Sequence, residues 1–199
     1  MTSVTKSDDV LHKWVAFVGA ANFAYFFVEF SVARHIGSVS LFADSIDFLE
    51  DAALNLLILI ALGWSLTNRA RMGRVLACLI AVPALATLWT AWDKFTDPVP
   101  PEAWLLSATG VGALAVNIGC AFLLMRYRHH SGSLTRAAFL SARNDACANI
   151  AIVGAGVITL YCNSGWPDLI VGLGIAAMNA DAAAKVWNAA QEEFSRSQA

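Results

Sequence analysis

Three aspartates crowd into one short stretch of this chain, GSVSLFADSIDFLEDAALN, running from Gly37 to Asn55. Asp44, Asp47 and Asp51 are spaced i, i+3 and i+7, so on a helix they share one face. Three like charges on one stripe in a low-dielectric setting cannot all stay ionised and unpaired without a large cost. Protons or a bound cation must neutralise them. Asp47 and Asp51, four apart, are the pair read as cation ligands. Glu50 sits beside Asp51 but off the Asp47 direction, and is read as the partner of an arginine.

A second group lies in FLSARNDACANIAIVGAG. Asp145 shares a helical face with Ser141 and Asn149 at i−4 and i+4, giving a carboxylate flanked by two neutral oxygen donors. Two helices presenting oxygens at one depth can supply the roughly four ligands that a divalent transition metal takes. One helix alone could not. The expected metal-binding residues are therefore Asp47, Asp51, Asp145, Ser141 and Asn149. Ser141 and Asn149 also fit the role of interhelical hydrogen-bonding groups.

The other polar residues are assigned to lesser duties. Asn22 and Glu29, seven apart, share a stripe and could line a vestibule. Asn117 is read as packing glue, and Arg143 as the partner of Glu50, Asp181 or the headgroups. Asp168, behind Trp166 and Pro167 at the start of a helix, is read as a cap on exposed backbone amides. The adjacent His129 and His130 in a loop would make at most a loose collecting point for metal. Cys78, Cys120, Cys147 and Cys162 show no CxxC spacing and are read as small buried hydrophobes, neither disulfides nor a thiolate cluster.

The elements that must position these groups are long and apolar. Of 199 residues, 58% are hydrophobic and 14% charged, where a soluble globular chain carries about 25% charged residues. The apolar residues gather into stretches of about twenty, the length that crosses ~30 Å of hydrocarbon. Six spans are predicted, over residues 13–33, 39–63, 74–92, 103–125, 136–160 and 167–188, the last running out into polar sequence. The chain is thus expected to be an all-α membrane protein of six transmembrane helices. Residues 1–12 and 191–199 would be cytoplasmic tails around a transport domain of 13–190. The polar start, MTSVTKSDDVLHK, has no short apolar region or cleavage site of a secretory signal.

Charge placement sets the orientation. With six alternating spans, Lys6, Lys13, Arg69, Arg71, Arg74, Arg126, Arg128, Arg136, Lys185 and Arg196 fall on one side and only Arg34 and Lys94 on the other. By the positive-inside rule both termini are cytoplasmic. A formal charge of −2 without a basic stripe gives no footprint for nucleic acid. The sequence offers no HExxH, no GxSxG, and no nucleophile paired with a histidine at a sensible depth, so no enzyme is expected.

The combination of GSVSLFAD, Asp47-x3-Asp51 and a late helix bearing Asp145 resembles the cation diffusion facilitator family of divalent-metal/proton antiporters. Tyr25 and Glu29 ahead of Gly37, a basic loop containing histidine before the fifth helix, and WPDLIVG at the sixth extend the likeness over residues 12–190. The resemblance implies a transport site of two residues four apart on the second helix and two on the fifth. Carried over, these are Asp47 and Asp51, then position 141 and Asp145.

It further implies a homodimer in the plasma membrane, exporting zinc or a related metal in exchange for protons, with no prosthetic group. Its partners would be metal ions, protons and the lipid bilayer. Two departures stand out. Position 141 is serine where the family has histidine or aspartate, which makes the site harder and richer in oxygen. That brings manganese, iron, cobalt and magnesium into range beside zinc, with Asn149 or Asn144 compensating. The sequence also ends about ten residues past the sixth helix, where typical members carry a soluble metal-sensing, dimerising domain. A dimer would then be held by membrane helices. These departures motivate the alternative reading, a non-transporting scaffold or metal-binding subunit derived from such a carrier.

Overall fold

The Gly37–Ser38 corner decides how the first two helices meet. The computed structural model describes residues 2–61, 68, 71, 75, 85–96, 98–125 and 132–198. Helix α1, Thr2–Ile36, ends where Gly37 takes the left-handed conformation, with φ of 64°, which costs glycine no Cβ clash. The Ser38 amide then donates to the Ala33 carbonyl at 3.0 Å, closing a Schellman turn. Helix α2, Val39–Ala61, starts at once and runs back along α1.

Helix α3 covers residues 85–96, α4 Ala103–Met125, α5 Gly132–Cys162 and α6 Trp166–Gln198. Among the described residues the regular structure is entirely helical, in six segments. The fourth predicted span matches α4 at both ends. Helices α1, α5 and α6 extend past the predicted apolar stretches because polar sequence continues a helix once the apolar part has nucleated it.

Three segments among the described residues are long and apolar enough to cross a membrane: His12–Ile36, Ala103–Met125 and Ala142–Cys162. The apolar run of the continuous helix α2 is broken by Asp44, Asp47, Glu50 and Asp51, and the second half of α6 is polar. The distribution of side chains is that of a bilayer protein. Phe17, Phe23, Phe27, Phe122, Leu160 and Ile170 lie on the outside, whereas Asn22, Glu29, Asp44, Asn55 and Asn149 are fully or almost fully enclosed. Lipid tails are as apolar as leucine, so burying leucine gives such helices little drive to associate, and close packing and hydrogen bonds hold them instead.

Helix α2 sits at the centre, touching α1, α4, α5 and α6. One cluster joins Val15 and Val18 of α1 to Cys120 and Leu124 of α4 and Ala142 of α5. A second joins Ala33, Leu41 and Ala43 to Leu106, Ile152 and Ile175. Helix α3 reaches the others through Ala91, packed with Val39 and Leu169. The cysteine expectation needs correction. Cys120 is buried, but Cys147 and Cys162 are exposed, because they lie on the outward face of α5, where a small apolar thiol meets lipid as readily as protein.

Candidate metal site on helices α2 and α5

Helix α2 begins with every amide of its first turn satisfied. Ser38 caps it, its Oγ accepting from the Leu41 amide at 3.1 Å. The two amides before that donate to a residue far along the chain: Val39 N to Asp168 Oδ2 at 2.8 Å and Ser40 N to Asp168 Oδ1 at 3.1 Å. Both serine hydroxyls also donate to Asp168 Oδ1, each at 2.6 Å. Asp168 is thus a cap, as its sequence position suggested, but it caps α2 across the interface rather than its own helix. The carboxylate lies at the positive end of the α2 dipole, and Lys94 adds an attractive charge on the same side.

The GSVS segment is therefore a clasp that fixes where α2 starts and how it faces α6. Gly172 of α6 makes this approach possible: a Cβ there would come within 2.7 Å of the Val39 backbone carbon. Held this way, α2 turns Asp44, Asp47 and Asp51 inward, with relative exposures of 0%, 9% and 4%.

On α5, Asp145 is 9% exposed and Asn149 fully buried. The charged groups acting most strongly on Asp47 are all acids: Asp145 first, then Asp44, Glu50 and Asp51. The structure therefore brings α5's aspartate to α2's acidic face. Among the described residues, no three His, Cys, Asp or Glu side chains stand close enough together to hold one ion. The two helices oppose their acids without closing them into a cage. The side chain of Ser141, and the loop residues His129 and His130, lie outside the described residues.

The neutral residues of the two helices correspond in a way the sequence reading missed. Asn149 Nδ2 donates to the Asp145 carbonyl at 2.6 Å, and Asn55 Nδ2 to the Asp51 carbonyl at 2.7 Å. In each, the buried Oδ1 is left without a partner. Helix α2 reads Asp47-x3-Asp51-x3-Asn55 and α5 reads Ser141-x3-Asp145-x3-Asn149, so the equal spacing was a signal for Asn55. Each helix presents carboxylate and amide oxygens one turn apart, a donor set suited to hard or borderline divalent cations.

The remaining polar residues resolve as follows. Asn22 accepts a weak bond from Cys120 Sγ at 3.9 Å, leaving its Nδ2 without a partner. Tyr25 donates to the Thr109 carbonyl at 2.8 Å and packs its ring against Phe48. Arg143 is exposed, its guanidinium 3.4 Å from the Asn144 side-chain oxygen.

Comparison with known proteins identifies the family. Residues 15–188 match the model of the cation efflux transmembrane domain. The zinc transporters ZitB of Escherichia coli (strain K12) and of Shigella flexneri are 28% identical over 144 residues, which is 65% of this chain and 45% of theirs. The chain thus spans less than half the length of these curated relatives. With an all-helical membrane fold and a family match covering most of its length, this protein belongs to the cation efflux, or cation diffusion facilitator, family.

Proposed function

We propose that this protein exports a divalent transition metal from the cytoplasm in exchange for protons. Asp47, Asp51 and Asp145 would be the anionic ligands, with Ser141, Asn149 and Asn55 supplying neutral oxygens directly or through water. The observation that carries this reading is the buried face between α2 and α5. There Asp145 is the foremost charged neighbour of Asp47, and the buried Asn149 amide oxygen is left without a donor.

Carboxylates enclosed together are stable only when protons or a cation neutralise them. Those two ligands compete, so release of metal on the far side admits protons, and the neutral acids return through the bilayer at lower electrostatic cost. Metal affinity then falls as pH falls, because each proton bound removes an anionic ligand. The oxygen-rich donor set places zinc, cobalt, iron and manganese within range. The relatives named as zinc transporters support zinc as the first ion to test. The basic residues concentrated on one side support cytoplasmic termini in a plasma-membrane setting. The transport domain would cover residues 13–190, in a homodimer.

The test is metal uptake into sealed proteoliposomes under an imposed proton gradient, for the intact protein and Asp51→Asn. Gradient-dependent flux that the substitution abolishes is the expected result. Correctly folded protein that moves none of the four metals would replace this reading with a non-transporting, metal-binding membrane subunit.

A further inference from the structure

The acidic stripe of α2 divides into two parts with different surroundings. Asp47 has Asp145 of α5 as its foremost charged neighbour, whereas Asp44 lies opposite Glu29 of α1. The ring contacts of Tyr25 with Phe48 and of Phe30 with Phe42 fix the antiparallel register of α1 and α2 that sets the Glu29 and Asp44 carboxyls against each other, and each acts on the other. Both residues are 0% exposed. Neither carboxylate has a hydrogen to give, so Glu29 Oε1 and Oε2 and Asp44 Oδ1 and Oδ2 are all without a donor.

The donors nearest in sequence are engaged elsewhere. The Tyr25 hydroxyl, one turn before Glu29, donates to the Thr109 carbonyl. The Ser40 hydroxyl donates to Asp168 and the Ser45 hydroxyl to the Phe42 carbonyl at 2.7 Å. The other charged groups acting on the pair are Asp47 on Glu29 and Asp51 on Asp44, both acids. Two buried, facing carboxylates in such surroundings would repel each other and forfeit solvation. A single hydrogen between them removes both costs, since a protonated carboxyl is a donor and the other an acceptor.

We propose that Glu29 and Asp44 form a proton-binding site separate from the metal ligands, one hydrogen being held between the two carboxyl groups as an O–H···O bond that joins α1 to α2. The pair keeps this hydrogen whether or not metal is bound, so Asp44 takes no part in coordination although it shares a helical face with Asp47 and Asp51. The inference does not depend on transport, because the hydrogen is detectable in protein that moves no ion.

The experiment is infrared spectroscopy of the full chain in lipid nanodiscs at neutral pH, in light and heavy water. A protonated-carboxyl band sensitive to the isotope is expected in the intact protein, and Glu29→Gln or Asp44→Asn should each remove the same band. If either variant fails to fold, intact protein labelled with ¹³C at the aspartate or the glutamate carboxyl replaces it, and the band must respond to labelling. Addition of zinc should leave the band in place, and zinc stoichiometry in Asp44→Asn should match that of the intact protein. Absence of the band, or its persistence in both folded variants, would show the pair to be ionised and overturn the proposal. So would loss of the band on adding zinc, which would make Asp44 a metal ligand.

Discussion

Along α2, one buried carboxylate supplied by α6 and a group of buried carboxylates lie within two turns of each other, and their surroundings are opposite. At the start of the helix, Asp168 accepts two amide and two hydroxyl hydrogen bonds. Deeper in, Glu29 and Asp44 accept none, and Asp47 faces mainly other acids. A carboxylate surrounded by donors is a finished structural part, and its charge is already compensated. Carboxylates gathered without donors are complete only when something is bound. The same residue type thus builds the frame in one place and, as we propose, receives a ligand in the other.

Substitution by the isosteric amide separates these roles, and the largest effect is expected at the binding face. Asp47→Asn or Asp51→Asn should lower metal-dependent flux by more than ~100-fold, beyond the ~10–100-fold typical of residues that only orient a ligand, while thermal unfolding in detergent stays near that of the intact protein. Replacing one of several like charges buried together by a neutral amide relieves their mutual repulsion, so the substitution should not weaken the fold. Unfolding at markedly lower temperature in these variants would break the comparison.

Asp168→Ala should do the reverse. It strands two amides and two hydroxyls that now bond to a charge, and a loss of about 3 kcal/mol or more is expected, read as a drop in unfolding midpoint. Any fraction that remains folded should still bind metal. A smaller loss is expected for Gly172→Ala, where the new methyl meets Val39 and Ser40 backbone atoms at 2.7–2.8 Å. Forcing α6 away from α2 should cost about 1–3 kcal/mol and weaken the Asp168 clasp along with it.

The smallest effect sharpens the comparison within the binding face. Asn55→Ala and Asn149→Ala each remove an unpartnered oxygen but no charge. Metal affinity should fall by about 10-fold in either, with the order of preference among zinc, cobalt and manganese shifting more than the fold stability. Matching effects would support α2 and α5 as equivalent arms of one site. An effect confined to Asn149 would leave Asn55 as a packing residue.

Much of this was legible along the chain. Apolar runs of about twenty residues mark membrane helices because the bilayer requires that length, and the span over 103–125 coincides with α4. Acids at i, i+4 on α2 and at the middle of α5 stand out because an intramembrane charge needs a reason to be there. Where reading failed, the missing knowledge was of partners. Asp168 was recognised as a cap, but nothing in WPDLIVG says that the amides it caps belong to a helix 129 residues earlier. Asn55 carries no charge to draw attention, and that its buried Oδ1 lacks a donor is visible only in the packed structure.

The sequence by itself determined the class of the molecule, the helical periodicity and the placing of carboxylates on two particular faces. These follow from hydropathy and from the fixed 100° step of the helix, which are local properties. Tertiary structure decided how the stripe on α2 is divided. Asp44 turns to Glu29, Asp47 turns to Asp145, and Asp168 reaches across to close the helix. Whether a buried acid is satisfied depends on which donors and charges surround it in space, and only the packing of α1, α5 and α6 around α2 supplies them.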